Sequence, residues 1–232
     1  YGQSGKPPGS ASHQEYSKHR MAADQVGLMT ALGHDRFAVC GHDRGGRVTH
    51  RMALDHPERV GAAAVLDIVP TRHLFETTDA AFAGAYYHWF FLIQPPPLPE
   101  RLIEAAAEDF VRLTLDRWSG PGFAFSDERV RDYVAAFDAA AIHASCEDYR
   151  AAATIDLEHD AEDADRRIDC PFLVVWGEQG AMQRLYDVPA TWSARADTVI
   201  ARSLRCGHFL PEEAAEETAA ILREFLDGVS PW

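Results

Sequence analysis

Residues 36–48 of the chain read RFAVCGHDRGGRV, and the order of elements in this stretch decides the fold. Its first part, 36–40, is a short apolar run of β-favouring residues that stops at Gly41, which predicts a strand. Residues 50–56 (HRMALDH) predict a helix that ends before Pro57. The glycines between these two segments predict a sharp turn from strand to helix.

The turn has the spacing G-x-D-x-G, which is that of a nucleophile elbow with Asp43 in the nucleophile's place. Such a turn strains the backbone at the nucleophile, and side chains at the positions of Gly41 and Gly45 would collide. We predict that Asp43 projects above the carboxyl edge of a sheet and that the amide of Arg44 stabilises a developing oxyanion. The alternative is that Asp43 caps the following helix.

Further apolar runs bounded by turn residues continue the alternation of strand and helix. They read AAAVLDIV, PFLVVWG and DTVIARSL, at residues 62–69, 171–177 and 197–204. Helices are predicted at 19–32, where Gly33 provides a left-handed cap, and at 211–227. Short strands buried on both faces and alternating with helices indicate a parallel sheet with right-handed crossovers, and hence an α/β fold.

Residues 70–169 have a different character, because they are rich in aromatic residues and mostly helical in pattern, with prolines at 95–97 and 99. We predict that this segment forms a helical layer over the sheet. The predicted domains are a first part of the core at 1–70, a helical cap at 71–169 and the remainder of the core at 170–232.

The composition excludes several classes of function. The chain has 232 residues, of which 47% are hydrophobic and 25% charged, as in an ordinary globular protein. Its 22 Lys and Arg against 36 Asp and Glu give a net charge of −14, so we expect no nucleic-acid partner. The apolar runs are shorter than the roughly 20 residues that a membrane span needs, so we expect no membrane span.

The four cysteines contain no C-x-x-C pair and lie in or beside structured segments, which favours free thiols in a reducing compartment. They are Cys40, Cys146, Cys170 and Cys206. No signal pattern follows Tyr1, so we predict a cytoplasmic location.

A carboxylate nucleophile that attacks an alkyl carbon forms an ester, and the hydrolysis of that ester needs a base. His208 follows the last predicted strand and precedes the final helix, which is where such a base is expected. A third group must orient His208, and two carboxylates are candidates. Asp67 lies at the end of the strand after the elbow, and Glu178 lies after the strand that follows it. Either carboxylate could instead cap a turn.

Several motifs together resemble the fluoroacetate dehalogenases, which are the haloacetate dehalogenase branch of the α/β-hydrolases. These motifs are GHDRGGRV, ALDHPERV, AVLDIVPT, YHWFFLIQPPPLPERLI, CEDYRA and GHFLPEEAAEE. The resemblance covers nearly the whole chain. GHDRGG is shared with epoxide hydrolases, whereas the YHW and CEDYR segments are more specific.

The resemblance implies a role for each matching residue of the catalytic centre. It implies that Asp43 is the nucleophile, that His208 activates water, and that Asp67 rather than Glu178 orients His208. It also implies that Arg44 and Arg47 hold the substrate carboxylate, for which paired, charge-assisted hydrogen bonds are suited. Taken without the resemblance, these arginines could be solvated residues at a helix end.

The resemblance further implies a halide pocket formed by His88, Trp89 and Tyr149, whose N–H and O–H groups would stabilise a leaving fluoride. Trp118 would line the inner face of the cap. Taken without the resemblance, a His-Trp pair among aromatic residues is more often ordinary core packing.

The implied fold is an α/β-hydrolase fold with a cap inserted after the strand that follows the elbow. The implied reaction is the hydrolysis of haloacetates to glycolate and halide through an aspartyl ester, without a metal or organic cofactor. The expected partners are therefore a small haloacid and a halide ion, and the protein could form a homodimer. An epoxide hydrolase and a non-catalytic small-acid-binding protein are the alternatives.

The resemblance is incomplete at the beginning of the chain. In this fold several strands precede the elbow strand, and the loop after one of them supplies a second oxyanion donor. Here one helix and a Gly-Ser-Pro-rich loop precede residue 36. We therefore expect roughly the first four strands of the sheet, and that donor, to be missing from the chain.

Overall fold

The computed structural model describes residues 1–229 and contains one sheet of four parallel strands in this part of the chain. The strands are β1 (Phe37–His42), β2 (Val60–Leu66), β3 (Phe172–Gly177) and β4 (Val199–Leu204). They lie side by side in the order β1-β2-β3-β4, and each neighbouring pair is parallel. The predicted α/β class with a parallel sheet is confirmed.

The other regular elements in the described part of the chain are helices. A 3-10 turn at Gln14–Tyr16 and helices α1 (Lys18–Ala31) and α2 (Arg44–Asp55) flank β1. Between β2 and β3 lie α3 (Thr71–Glu76), α4 (Ala80–Ala85), α5 (Tyr87–Leu92), α6 (Leu98–Glu104), α7 (Ala107–Trp118), α8 (Asp127–Ala135), α9 (Ala139–Ala152) and α10 (Ile155–Glu162). The remaining helices are α11 (Ala181–Leu185), α12 (Val188–Ser193), α13 (Leu210–Glu213) and α14 (Ala215–Gly228).

The elbow strand and helix meet more abruptly than the sequence suggested. β1 continues through Gly41 and His42, which pair with the end of β2, and α2 begins at Arg44 rather than at residue 50. The prediction placed the helix start too late because Gly45 and Gly46 were interpreted as part of a turn. In the structure these glycines form the first turn of α2 instead.

Two other boundaries differ. β2 ends at Leu66 rather than at residue 69, because the chain bends at Asp67, where φ is +51°. The final helix is broken at Ala214 into α13 and α14. The predicted left-handed cap at Gly33, with φ of +86°, is confirmed.

Burial of the strands follows their position in the sheet. β2 is buried along its whole length and β3 almost so, as predicted for strands covered on both faces. β4 is half-buried or exposed throughout, and β1 exposes Cys40. For β4, an outer strand of the described sheet, the prediction of burial on both faces was wrong, since its residues are only partly covered on either face.

Alternate residues of β2 and β3 build two apolar layers, one on each face of the sheet. On one face Val65 and Phe172 join a cluster that includes Leu74, Trp89 and Tyr149 from the helices between β2 and β3. On the other face Leu66 and Leu173 pack with Phe225 of α14. The first layer is the larger, and in it the helices between β2 and β3 pack against the sheet.

Residues 71–169, called the cap segment below, carry the eight helices α3 to α10. The domain boundaries predicted for 1–70, 71–169 and 170–232 stay predictions, and the last of these segments ends outside the described residues, at 230–232. No strand is described in residues 1–36. No helix in the described chain is long and apolar enough to cross a membrane, and all four cysteines are free.

Candidate active site

Asp43 lies at the tip of the turn between β1 and α2 with φ of +48° and ψ of −117°, a conformation that residues with a side chain rarely adopt. Its side chain makes no capping hydrogen bond to α2, so the capping alternative is not supported. A Cβ atom on Gly41 would lie 2.2 Å from the carbonyl oxygen of Gly45. The prediction that Gly41 must be glycine is therefore confirmed by geometry.

The second glycine requirement falls on a different residue from the one expected. A Cβ on Gly45 would meet no atom within 4 Å, whereas a Cβ on Gly46 would lie 2.9 Å from Ile68 Cδ1 and 3.0 Å from the oxygen of Gly41. The expected collision at Gly45 is wrong, because it is the backbone of Gly45 that lies close to Gly41. Gly46 is the residue whose bare Cα lets α2 approach β1.

His208 lies on the loop between β4 and α13, directly beside the ends of the sheet strands. Its Nδ1 donates a hydrogen bond of 2.7 Å to Asp67 Oδ2, and the other oxygen of Asp67 accepts a bond of 3.0 Å from the amide of Gly177. Asp67 is 1% exposed and His208 4% exposed. This pairing fixes the tautomer in which Nε2 is free to take a proton.

Glu178, the other candidate for orienting His208, points elsewhere. It is exposed, and its Oε1 accepts a hydrogen bond of 2.7 Å from the hydroxyl of Ser203. The structure thus places Asp67, and not Glu178, against the imidazole of His208.

The charges of the site shift the pKa values of Asp43 and His208 in opposite directions. Burial alone would raise the pKa of Asp43, but the neighbouring His208 and the cations Arg44 and Arg47 outweigh it, so the pKa lies below its ordinary value. Burial disfavours the charged form of His208, yet its hydrogen bond to Asp67 and the nearby carboxylates raise its pKa. At neutral pH Asp43 is ionised.

Arg44, the first residue of α2, is held by Asp148 of α9. Its Nε donates 3.1 Å to Asp148 Oδ2, and its Nη2 donates to Asp148 Oδ1 and, at 3.0 Å, to the backbone oxygen of Asp148. The guanidinium lies 4.2 Å from the ring centre of Tyr149. Nη1 is buried and has no hydrogen-bond partner among residues 1–229.

Arg47 lies one turn further along α2 and is 3% exposed. Its Nη1 donates to the oxygen of Val69 at 3.0 Å and to Thr71 Oγ1 at 3.1 Å, while its Nε is buried without a partner in the described chain. Burial, together with the charge of Arg44, lowers the pKa of Arg47 to about 10. The half-buried Arg44 and the buried Arg47, both beside Asp43, thus each retain a buried donor nitrogen without a partner among the described residues, an arrangement suited to an anionic ligand.

The aromatic residues of α5 and α9 pack around these arginines. The Arg47 guanidinium lies 4.6 Å from the ring centre of Trp89, and the rings of Trp89 and Tyr149 are 5.8 Å apart at a steep angle. His88 is 7% exposed, and its Nε2 is buried with no partner in the part of the chain that the structure describes. Burial lowers the pKa of His88 to about 3, so its imidazole is neutral at physiological pH.

Trp118, at the end of α7, is half-buried and lies between the two histidines of the site. Its ring centre is 4.7 Å from that of His88 and 4.9 Å from that of His208, and its backbone oxygen accepts a 2.9 Å hydrogen bond from the amide of His208. The structure therefore brings together all nine residues that the sequence analysis singled out, with Glu178 left outside.

Some residues of the site were missed in the sequence. Asp148, which is 2% exposed, is paired both with Arg44 and with the buried Lys18, whose ammonium lies 3.4 Å from Asp156. Tyr86 is 4% exposed; burial and then the charges of Asp67 and Asp43 raise its pKa. The CEDYR motif contains Asp148, but nothing in its local pattern points to Arg44, which is 104 residues away.

Among residues 1–229 no group of three or more His, Cys, Asp or Glu side chains has the geometry of a metal site.

The comparisons with known proteins show the family to which the chain belongs. The family model of the α/β hydrolase fold matches residues 1–213, so the chain belongs to the α/β-hydrolase family. Within that family the predicted resemblance to the fluoroacetate dehalogenases is confirmed. A fluoroacetate dehalogenase from Burkholderia sp is 47% identical over 97% of this chain and 75% of its own length.

Two further relatives place the chain within the family. A crystal structure from Nostoc sp PCC 7120, assigned provisionally as an α/β hydrolase, has a TM-score of 0.95 at 55% identity and covers 98% of this chain and 79% of its own. A soluble epoxide hydrolase from Corynebacterium sp. (strain C12) is 30% identical over 85% of this chain and 69% of its own length. The epoxide hydrolase is thus the more distant relative.

Proposed function

We propose that the protein hydrolyses haloacetates to glycolate and halide through an ester on Asp43. The observation that carries this proposal is the pair of guanidinium groups beside the ionised Asp43, each with a buried nitrogen that has no partner among the described residues. A small carboxylate is the ligand that such a pair recognises best. The similarity to a fluoroacetate dehalogenase supports the same substrate class.

In the first step the substrate carboxylate binds Arg44 and Arg47, which places the halogen-bearing carbon next to Asp43. The carboxylate of Asp43 attacks that carbon, a C–O bond forms, and the carbon–halogen bond breaks as halide leaves with its electron pair. Holding the substrate at both arginines turns a bimolecular displacement into one between neighbours, which is worth several orders of magnitude in rate.

The departing halide needs hydrogen-bond donors in a dry pocket. His88, Trp89 and Tyr149 carry N–H and O–H groups and are at most 8% exposed. Trp89 and Tyr149 pack against the arginines, and His88 packs against Tyr149. His88 is neutral, so it contributes a donor without adding a fixed positive charge. Such donors stabilise the charge that grows on the leaving fluoride. Trp118 covers the same space from α7.

In the second step His208, oriented by Asp67, removes a proton from water. The resulting hydroxide attacks the carboxyl carbon of the Asp43 ester, the bond between that carbon and the glycolyl oxygen breaks, and glycolate takes up the proton. The 2.7 Å hydrogen bond to Asp67 stabilises the imidazolium that forms. The amide of Arg44, at the start of α2, is placed to stabilise the oxyanion of this step.

The test measures halide and glycolate released from fluoroacetate and chloroacetate by the full-length protein, with Asp43→Ala as the matched control. We expect release from both substrates and none from the control. Chloride release alone would keep the reaction class and contradict the fluoride pocket assigned to His88, Trp89 and Tyr149. Release of neither halide by the folded protein would contradict the proposal.

Two alternatives make different predictions in the same assay. An epoxide hydrolase would open an epoxide and would have no use for a pair of arginines that binds carboxylate. A non-catalytic small-acid-binding protein would retain an unchanged haloacid, detectable by calorimetry without halide release. The intact pairing of His208 with Asp67 favours an enzyme over such a receptor.

A cytoplasmic location and a homodimer complete the proposal. The location rests on the four free cysteines, and the dimer on the family resemblance. Fractionation of the source cells and sedimentation of the purified protein would test them.

A further inference from the structure

The loop that carries His208 is held by more than its contact with Asp67. The amide of His208 donates to the oxygen of Trp118 in the cap segment, and the oxygen of His208 accepts a 2.8 Å bond from His42 Nε2. The residues on either side of His208 are in turn bonded to one carboxylate, that of Glu213, at the end of α13.

The carboxylate of Glu213 accepts three backbone hydrogen bonds. Its Oε2 accepts from Gly207 and from Gly120, each at 2.7 Å, and its Oε1 accepts from Phe209 at 2.9 Å. Two of these donors flank His208, and the third belongs to the loop that follows α7. A carboxylate with two oxygens and four lone pairs can satisfy three N–H groups at once, which no neutral side chain of that size can do.

The backbones that Glu213 joins are in direct contact. A Cβ on Gly207 would lie 2.3 Å from the nitrogen of Gly120 and 2.6 Å from the oxygen of Trp118. A Cβ on Gly120 would lie 2.7 Å from the nitrogen of Gly207, so both loops of this contact depend on glycine. At Gly207 itself the histidine loop therefore has no side chain that could contact the cap segment. The shared carboxylate provides the connection instead.

We propose that Glu213 is a positioning residue, which holds the His208 loop against the cap segment so that His208 reaches the water that hydrolyses the Asp43 ester. This assignment rests on the proposed function, because His208 has a task only after the ester has formed. Attack by Asp43 on the substrate carbon requires Arg44 and Arg47, and Glu213 contacts neither of them.

The neighbouring Glu212 supplies a matched control. It lies beside Glu213 on α13 and also reaches the cap segment, where it accepts a 2.8 Å hydrogen bond from Tyr133 and lies 3.5 Å from Arg129. Its carboxylate has no hydrogen bond to residues 205–209 in the described chain. Glu212→Gln thus removes the same charge from the same helix without loosening the histidine loop.

The experiment compares the full-length wild type, Glu213→Gln and Glu212→Gln with chloroacetate, in rapid-mixing and steady-state assays. Glutamine can present one acceptor oxygen and must turn its NH₂ towards an N–H donor. We expect Glu213→Gln to lower steady-state turnover about tenfold while the first equivalent of chloride is released at nearly the wild-type rate. The carboxymethyl ester on Asp43 should then accumulate and be visible by intact-protein mass spectrometry. Glu212→Gln should behave as the wild type.

Two results would overturn the assignment while leaving the proposed function in place. One is equal turnover by the two glutamine variants, and the other is an equal slowing of the first chloride release and of steady-state turnover in Glu213→Gln. A wild type that releases no chloride would overturn the proposed function, and this assignment with it. Glu213→Asp, which keeps the charge and both oxygens on a shorter side chain, is measured in parallel, so that a fold defect in Glu213→Gln leaves the test decisive.

Discussion

Asp43 and Asp67 both adopt φ angles near +50°, in a region that ordinarily favours glycine or asparagine. Each such residue costs about 1–3 kcal/mol of backbone strain, which the surrounding structure must offset. Each of the two residues directly follows a β-strand, and the two carboxylates lie at the same edge of the sheet. The strain is thus located at the two carboxylates that the proposed mechanism uses.

The first prediction concerns pH. Ester hydrolysis needs neutral His208, and Asp67 raises the pKa of His208 above its ordinary 6.5. We therefore expect ester hydrolysis to fall as pH falls and His208 becomes protonated. Esterified Asp43 carries no charge, so the acid limb for ester breakdown should lie at lower pH than the pKa of His208 in the free protein. Single-turnover kinetics across pH, with a ¹H NMR titration of His208, would check both; a limb above the free-protein pKa would contradict the assignment.

The second prediction concerns the arginines that we propose to bind the substrate carboxylate. Arg47 uses one nitrogen on Val69 and Thr71 and keeps another unpaired, a division that a single ammonium group lacks. We expect Arg47→Lys to raise the KM for chloroacetate about 10- to 100-fold. Arg20→Lys, at an exposed residue paired with Asp24, is the control. An unchanged KM in Arg47→Lys would show that Arg47 does not bind the substrate.

At the scale of elements, α2 carries three residues of the site within its first turn and the residue before it. Asp43, Arg44 and Arg47 are all positioned by the single turn from β1 into α2. Because the helix starts at Arg44, Asp43 lies at the tip of the turn, and the amide of Arg44 lies at the same edge of the sheet. The geometry of this turn depends on two backbones in contact, at Gly41 and Gly45.

The third prediction tests that contact with two glycines. A Cβ on Gly41 would lie 2.2 Å from the backbone oxygen of Gly45, whereas a Cβ on Gly45 would meet nothing within 4 Å. We expect Gly41→Ala to lower the free energy of unfolding by about 3 kcal/mol or more, or to prevent folding. Gly45→Ala should be neutral or stabilise α2 by up to about 1 kcal/mol. Urea unfolding measures both, and equal stabilities would contradict this account of the turn.

The fourth prediction concerns the connection between α9 and α2. Asp148 neutralises both Arg44 and Lys18 in a buried position, and it orients the Arg44 guanidinium so that Nη1 is left unpaired. We expect Asp148→Asn to raise the KM for chloroacetate and to lower stability by about 3 kcal/mol, because Arg44 loses its carboxylate partner and the buried Lys18 keeps only Asp156. Steady-state kinetics and urea unfolding would check this. The account would fail if both quantities stayed at wild-type values.

At the scale of the whole molecule, one apolar cluster spans the sheet and the cap segment. Val65 and Phe172 of the sheet share it with Leu74, Trp89 and Tyr149 of the cap segment. The site lies within this shared layer, so its dryness depends on the cap segment staying packed. Three ionisable residues of the site, Arg47, Asp67 and His208, are buried.

The fifth prediction follows from that shared layer. A cap segment without a separate core should not unfold by itself, so we expect one cooperative unfolding transition. Circular dichroism follows the helices of both parts. Tryptophan fluorescence also follows both parts, since Trp89 and Trp118 lie in the cap segment and Trp176 and Trp192 in the core. Coincident midpoints in urea would agree with the prediction. Two separated midpoints would show that the cap segment unfolds independently.

Local sequence patterns determined the class of the fold and the centre of the site. The elbow depends on steric contacts between residues four positions apart, and buried strands show as apolar runs, so both are visible without tertiary information. The position of His208 after the last strand follows from chain order in the same way. For this reason the parallel sheet, Asp43 and the base were all predictable.

Only the tertiary structure decided the choices that depend on long-range contacts. Asp67 and Glu178 are equivalent in local pattern, and the packing of the His208 loop against Gly177 and Trp118 is what leaves Asp67 as its partner. Asp148 and Glu213 likewise act on residues about 90 or more positions away. Such pairings depend on how the cap segment folds back onto the sheet, because side-chain hydrogen bonds form wherever packing brings donors and acceptors within about 3 Å.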